Sequence, residues 1–288
     1  MLHEITNGTL TALIAEDGAE LKSLKDPTGL EWMWQADPAH WARTSPVLFP
    51  FVGKLQQNQY LHQGKTYPMT SHGFARDRRF VVEKINESGI RFTLEADKES
   101  WKIYPFEFVL KLTYKIVGNE LITEYQVENK GDDQMFFSIG GHPGFRCPLN
   151  DGESFGDYYL EFEKLEPGLE RWMVEGPFLS NKKEKLVLDG KKLSLKENLF
   201  GDKDAVILRN TNSSLLKFAS KKHERNLVFK YDKFQWMAIW SKGPFLCLEP
   251  WHGIADEVGF EGELKNKLSI RQLMPGGIFN CKWSVAIN

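Results

Sequence analysis

The stretch "FEFVLKLTYKI", residues 106–116, sets a pattern that recurs along the chain. Its aromatic and aliphatic residues fall at every second position, and charged residues occupy most of the positions between them. A period of two is typical of a strand with one buried face. After the turn signal Gly118-Asn119, the same alternation returns in "ELITEYQVE", residues 120–128. The two segments therefore predict an antiparallel hairpin.

Alternation of this kind continues to the end of the chain. It predicts further strands at residues 90–96, 135–139, 227–231, 245–249, 268–273 and 279–285. Helix signals are weak, and "DPAHWAR" from Asp37 supports one or two turns. Residues 164–204 look like a long excursion with short strands near "KLVLDG" and "KKLSL". Many short strands without a dividing linker predict one all-β domain, residues 1–288, folded as an antiparallel sandwich or barrel.

Composition narrows the function classes. The formal net charge is −2, and positive and negative residues are mixed along the chain, which argues against nucleic acid as a partner. No apolar run approaches the roughly 20 residues of a membrane span, and the N-terminal sequence lacks the features of a signal peptide. Three widely spaced cysteines without a CxxC pair suggest reduced thiols. We expect a cytoplasmic protein, monomeric or homodimeric, with no structural disulfide.

Residues 45–80 carry the first group of candidate binding side chains. An apolar run ends at Gly53-Lys54, and "SHGFARD" then presents His72 and Arg76 in a turn. Connecting segments often carry binding groups. The alternative is that Lys54 and Arg76 are solvated surface charges and that His72 is a hydrogen-bonded turn residue.

The second candidate is the histidine of "GGHPGF". A predicted strand runs into Gly140-Gly141, and glycine allows unusual dihedrals or the close approach of another group. His142 follows where the strand ends, and Pro143 restricts its backbone to extended conformations. Imidazole titrates near neutrality, so His142 suits general acid catalysis. A histidine that is merely hydrogen-bonded in a turn is the alternative.

The third candidate is the glutamate of "CLEPW". Alternation places Glu249 on the same strand face as Phe245 and Cys247, so the carboxylate points among apolar neighbours. Burial raises the pKa of a carboxyl group and makes it a plausible base near neutral pH. Pro250 ends the ladder, and the indole of Trp251 offers an apolar platform for a sugar ring.

Metal and nucleotide chemistry lack their sequence signatures. His72, His142, Glu249, His252 and Asp256 are suitable ligand types, but HxH, HExxH and CxxC units are all missing. The sequence also lacks GxGxxG, GxxxxGK[ST] and GxSxG. We therefore expect no metal and no cofactor.

Five motifs taken in order resemble the aldose 1-epimerase (galactose mutarotase) superfamily, most closely its LacX-like branch. They are "VLFPFVGKL", "SHGFARD", "GGHPGF", "DKDAVIL" and "CLEPWHGIAD". The resemblance spans nearly the whole chain and implies a large antiparallel β-sandwich of the galactose mutarotase type, with few short helices and a sugar site on one face. It agrees with the period-two pattern.

The resemblance also implies catalytic roles. Glu249 would take the proton of the anomeric hydroxyl while His142 protonates the ring oxygen, so that the sugar ring opens and recloses from the other face. His72 is similar to a second family histidine that binds sugar, and Lys54 stands where many relatives have arginine. Asp204 is similar to a sugar-binding aspartate, although the alignment also permits Asp202. Arg76 is placed in the same pocket.

Two other functions remain open on sequence alone. One is a mutarotase for hexose phosphates, in which Lys54, Arg76, Arg78 and Arg79 form a phosphate clamp. The other is a non-catalytic sugar-binding or sensing protein on the same fold. The presence of both an acid and a base candidate favours an enzyme.

Overall fold

The computed structural model describes residues 1–196, 198–201, 205–231 and 233–288. Twenty-four strands are defined there, and helix is confined to α1 (Lys98–Ile103) and short 3₁₀ turns at Gln56–Asn58, Ala75–Asp77, Phe155–Asp157 and Leu264–Asn266. The strands are β1 (Leu2–Thr6), β2 (Thr11–Ala15), β3 (Leu21–Lys25), β4 (Val47–Leu48), β5 (Gln59–His62), β6 (Lys65–Pro68), β7 (Val81–Asn86), β8 (Gly89–Glu95), β9 (Phe108–Val117), β10 (Glu120–Asn129), β11 (Met135–Phe137), β12 (Ile139–Gly141), β13 (Gly144–Arg146), β14 (Tyr158–Phe162), β15 (Glu170–Glu175), β16 (Phe178–Lys185), β17 (Lys192–Ser194), β18 (Ala205–Arg209), β19 (Leu215–Ser220), β20 (Asn226–Lys230), β21 (Trp236–Trp240), β22 (Phe245–His252), β23 (Arg271–Leu273) and β24 (Ile278–Ile287).

Two large antiparallel sheets organise these strands. The first has nine strands in the order β17-β14-β19-β20-β24-β10-β9-β8-β7. The second has the order β16-β15-β18-β21-β22-β12-β4, and β13 pairs with β22 beside that path. Side chains from both sheets meet in one apolar cluster, which includes Leu246 and Leu248 of β22 and Trp283 of β24. This arrangement confirms the predicted antiparallel β-sandwich.

The hairpin predicted from residues 106–128 is confirmed as β9 and β10. They pair from Glu120↔Val117 to Asn129↔Phe108, and their alternate side chains are buried. β9 begins at Phe108 and not at Phe106, because Tyr104 to Phe106 form the turn that follows α1.

Local departures from the sequence predictions have physical causes. Asp37 to Arg43 form hydrogen-bonded turns and no helix. The helix lies instead at α1, where the Asp97 side chain accepts the backbone N–H of Ser100 in a capping box. The predicted strand at residues 135–139 is two strands, because the chain changes sheet at Ser138. β11 pairs with β23, whereas β12 pairs with β22 and β4.

The excursion at residues 164–204 is more regular than its composition suggests. β15 and β16 form a long hairpin at the edge of the second sheet, with a register shift between Trp172 and Val174. Of the two short strands predicted there, "KKLSL" contains β17, while most of "KLVLDG" lies outside the strands.

Candidate active site

The site is built on β22, whose alternation separates two environments. Leu246 and Leu248 face the main core between the sheets. Cys247, Glu249 and Trp251 occupy the opposite face, where Trp251 and Cys247 belong to separate apolar clusters. The side chain of Glu249 is 2% exposed there. The alternation read from the sequence is therefore confirmed, and it brings a carboxyl group into apolar surroundings. The predicted end of the ladder at Pro250 is wrong, because β22 continues to His252 and stays paired with both β21 and β12.

The glycine pair allows β12 to pack directly against β22. Gly140 pairs with Trp251, and a Cβ atom at Gly140 would lie 2.6 Å from Cδ1 of that indole. A Cβ at Gly141 would lie 2.8 Å from Nε1 of Trp283 on the core side. Each face of the strand thus meets a tryptophan, and only residues without a side chain fit. His142 leaves the end of this strand beside Glu249.

His142 and Glu249 meet, although they are far apart in sequence. Nε2 of His142 lies 3.2 Å from Oε2 of Glu249, and both side chains are largely buried. Oε2 of Glu249 makes no hydrogen bond within the part of the chain that the structure describes, and Nδ1, the other ring nitrogen of His142, makes none there either. Two adjacent, unsatisfied titratable groups are typical of a catalytic site. We call these two residues the acid–base pair.

Two tryptophans enclose His142. The indole of Trp41 stacks on the imidazole with ring centroids 4.7 Å apart, and Trp240 meets it edge-on at 5.5 Å. Both indoles are half-buried and so expose part of their surface. Neither residue was predicted from the sequence. Trp41 lies in a loop and Trp240 ends β21, and both reach His142 only through the tertiary fold.

His72 is also brought to the site. Its ring centroid lies 5.8 Å from that of His142. Nδ1 of His72 accepts a hydrogen bond from the backbone N–H of Gly53 at 3.2 Å. The backbone N–H of His72 in turn donates to the carbonyl of Gly53 at 2.9 Å. This fixes the ring orientation and leaves Nε2 as the protonated nitrogen of a neutral imidazole. His72 is therefore a hydrogen-bond donor beside the acid–base pair.

The other predicted binding residues are placed less directly. Nη2 of Arg76 donates to the carbonyl of Ser71, while its Nε is buried without a hydrogen-bond partner among the described residues. Lys54 follows Gly53, and its carbonyl accepts the N–H of Asp256. Its side chain makes no hydrogen bond or ion pair within the described ranges. Asp204 and its alternative Asp202 lie outside the described residues.

Trp251 differs from the expected sugar platform. The residue is 7% exposed and packs against Gly140 in the cluster that contains Leu48 and Trp236. A buried indole offers a sugar ring little surface. The accessible aromatic surface next to His142 belongs to Trp41 and Trp240.

The arginines of the hypothetical phosphate clamp point to acidic partners. Arg78 forms an ion pair with Asp97, and Arg79 forms one with Glu16. Only Arg76 of the three arginines is near the histidines, since its charge acts on both His72 and His142. The three arginines therefore do not converge on one phosphate.

Comparison with known proteins agrees with this geometry. The profile of the aldose 1-epimerase family matches residues 1–268. The protein LacX of Lactococcus lactis subsp. lactis is 33% identical over 294 aligned positions, which cover 96% of this chain and 95% of LacX. The chain belongs to the aldose 1-epimerase family. Its similarity to LacX places it in the LacX-like branch and supports a sugar mutarotase.

Solved structures show the same fold in other family members. A galactose mutarotase related enzyme from Lactobacillus acidophilus superposes with a TM-score of 0.94 at 34% identity, covering 100% of this chain and 97% of that one. A galactose mutarotase-like protein from Lactobacillus casei gives the same TM-score and identity and covers 100% of both chains. Among the described residues of this aldose 1-epimerase family member, no helix is long and apolar enough to span a membrane.

Burial shifts the pKa values of the acid–base pair in opposite directions. Desolvation raises the pKa of Glu249 well above its usual value. Desolvation also lowers the pKa of His142 well below its usual value, and nearby His72 and Arg76 add to this effect. The pKa of His72 falls to about 3, mainly through burial and then through Arg76 and Arg43. These shifts favour a protonated, uncharged carboxyl group on Glu249 and neutral imidazoles on His142 and His72. In this state the acid–base pair holds one titratable proton.

One group of described residues has the composition of a metal site. The ligand atoms of His142, Cys247 and Glu249 lie within 4.8 Å of one another. A thiol binds a metal as thiolate, but burial and the neighbouring Glu249 raise the pKa of Cys247 well above its usual value. The donor set therefore fits a protonated thiol beside an acid–base pair better than a preformed metal centre.

A buried ion pair holds the loop that follows β22. Nζ of Lys267 lies 2.9 Å from Oδ1 of Asp256, and the side chains are 2% and 4% exposed. Lys267 also donates to the carbonyl of Ile254, and Asp256 accepts the backbone N–H of Gln56. The same loop carries Ala255 against Gly53, which positions His72. The aspartate of "CLEPWHGIAD" therefore supports the site without entering it.

Proposed function

We propose that the protein interconverts the α and β anomers of a free aldose by acid–base ring opening. Glu249 accepts the proton of the anomeric hydroxyl, and His142 donates a proton to the ring oxygen. The bond between C1 and the ring oxygen then breaks and leaves an open-chain aldehyde. After rotation about the C1–C2 bond, the ring closes on the other face and both protons return.

The close contact between His142 and Glu249 carries this proposal. At 3.2 Å the two groups can share one proton, which resides either on the carboxyl group or on the imidazole. Each half of the reaction takes a proton from one sugar oxygen and supplies one to another, so the pair holds one proton before and after turnover. An overall neutral pair suits a site that excludes water, because burial penalises any state with net charge.

Neighbouring residues supply orientation. His72 carries its proton on Nε2 in a ring 5.8 Å from that of His142, and it can donate a hydrogen bond to a sugar oxygen. The half-buried indoles of Trp41 and Trp240 provide apolar faces for the C–H side of a pyranose ring. We retain Lys54, Arg76 and Asp204 as proposed ligands for the sugar hydroxyls, and we assign stacking to Trp41 and Trp240 ahead of Trp251.

The substrate is proposed to be unphosphorylated. A phosphate monoester needs converging cations, and the ion pairs of Arg78 and Arg79 direct these side chains to Asp97 and Glu16. The proposed reaction needs two proton transfers and no redox or phosphoryl chemistry, so the residues of the chain suffice for it.

Exchange between anomers measured by NMR tests the proposal. A panel of aldoses and their 6-phosphates is compared with and without enzyme, after subtraction of the spontaneous rate. Glu249→Gln and His142→Asn are each expected to lower the enzymatic rate about 10²- to 10⁴-fold. Glu87→Gln, a change at an exposed residue, serves as control.

Three results would contradict parts of the proposal. Wild-type rates in both pair variants would refute the assigned acid and base. Binding of a sugar without accelerated exchange would favour the sensing protein. Faster exchange of a 6-phosphate than of its parent sugar would favour the hexose-phosphate mutarotase.

A further inference from the structure

One cavity of the protein is lined by residues other than the acid–base pair. Its volume is about 650 Å³, a size common for small-molecule sites. Most of its lining comes from β8, β9, β10 and β24, which are neighbours in the nine-stranded sheet, and Arg271, His252 and Lys233 complete it. None of its lining residues belongs to the proposed catalytic machinery.

The lining of this cavity is positively charged. It contains Arg91, Lys111, Lys233, Arg271 and Lys282, against the single carboxylate of Glu124. Some of these charges are compensated, because Arg91 pairs with Glu83, Lys111 with Glu128, and Glu124 with Lys115. Three cations are left without an ion pair in the described part of the chain: Lys233, Arg271 and Lys282.

Arg271 is the central group. Its Nη2 donates to Nδ1 of His252 at 2.6 Å, and its Nε is buried without a hydrogen-bond partner among the described residues. Burial and, to a lesser extent, the charge of Arg271 together lower the pKa of His252 to about 3, so this contact is a hydrogen bond to a neutral ring. The half-buried guanidinium therefore lacks the anion that a buried cation normally has.

The adjacent edge of β24 adds backbone donors. β20 pairs with β24 only from Ser284 to Ile287, so the preceding part of this edge has no strand partner among the residues that the structure describes. Gly277, Ile287 and the other odd-numbered residues bond towards β10, which directs the N–H groups of Asn280 and Lys282 to the open side. Free backbone N–H groups beside an arginine are a common arrangement for binding an anion.

We propose that this cavity binds a small phosphate monoester. The dianionic phosphoryl group would lie between Arg271, Lys282 and the free edge of β24, and its organic part would contact the half-buried ring of Phe279. A phosphate group matches three unpaired cations better than a carboxylate does. The His252 partner of Arg271 ends β22, the strand that carries Glu249, so one strand joins the proposed site to the acid–base pair.

Calorimetric titration of the full chain tests this site. The probes are glucose 6-phosphate, inorganic phosphate and unphosphorylated glucose. Arg271→Gln should weaken binding of glucose 6-phosphate by about 10-fold or more. Lys282→Gln, at an exposed residue, should also weaken it. Lys102→Gln removes an exposed charge from α1, where its partner Glu99 also lies outside the cavity, and should leave binding unchanged.

Glu249→Gln separates this site from the proposed active site. It should abolish anomer exchange yet leave titration with glucose 6-phosphate unaffected. The inference is overturned if glucose 6-phosphate does not bind, if glucose binds equally well, or if Lys102→Gln weakens binding as much as Arg271→Gln. Loss of phosphate binding in Glu249→Gln would place the ligand at the catalytic pair and would also overturn it.

Discussion

Replacing Lys267 with methionine should strongly destabilise the protein. The ammonium group lies 2.9 Å from Asp256, and neither side chain reaches bulk solvent. Methionine fills a similar volume but leaves the carboxylate of Asp256 with only the backbone N–H of Gln56. It also leaves the carbonyl of Ile254 without its donor.

The expected magnitude follows from the cost of an uncompensated buried charge. Removing one partner of a buried ion pair costs about 3–5 kcal/mol in the free energy of unfolding. At roughly 2–4 °C per kcal/mol for a chain of this size, the melting temperature should fall by about 6–20 °C. Thermal unfolding followed by circular dichroism measures this change.

Two further variants isolate the cause. Lys265→Met, two residues earlier and exposed, should shift the melting temperature by less than about 2 °C. Adding Asp256→Asn to Lys267→Met should restore part of the stability, because it removes the charge that was left unpaired. A melting temperature near that of the wild type for Lys267→Met, or a double variant less stable than the single one, would refute the reasoning.

Three other outcomes are expected. The rate of anomer exchange should stay flat across neutral pH. The rate should fall in acid below the lowered pKa of His142, because the acid–base pair then gains a second proton. It should also fall in alkali above the raised pKa of Glu249, because the pair then loses its proton. A narrow optimum in the pH–rate profile would contradict this. Gly140→Ala should cost about 1–3 kcal/mol in chemical denaturation and slow exchange, because its methyl group meets Trp251 at 2.6 Å, whereas Gly156→Ala, whose Cβ would make only ordinary van der Waals contacts at 3.8 Å and beyond, should be neutral. Trp41→Ala should raise the KM of the sugar about 5- to 10-fold in the exchange assay, and Trp41→Phe should retain most of the affinity.

The parts of the fold that the sequence predicts are those governed by local rules. The β9–β10 hairpin follows from alternation and one turn, and β22 from the alternation around Glu249. The break at Ser138 could not be predicted, because both halves read as one apolar run. Only the pairing of β11 with β23 and of β12 with β22 divides them.

The candidate site shows the same limit. His142, His72 and Glu249 stand in unusual local sequences, so each could be selected from its own neighbourhood. Trp41 could not, since its stacking on His142 depends on how two distant loops meet. The charges of Arg78 and Arg79 could not be assigned either, because their partners, Asp97 and Glu16, come from other segments.

Burial connects the position of the acid–base pair with its proposed chemistry. In water a glutamate is ionised at neutral pH and a histidine is mostly neutral, so such a pair has no shared proton to pass between sugar oxygens. Desolvation of Glu249 and His142 changes this balance, because the raised pKa of the carboxyl group keeps one proton on the pair over a wide pH range. The glycines that let β12 pack on Trp251 therefore do more than relieve a steric clash. They bring His142 close enough to Glu249 for the two groups to hold that proton together.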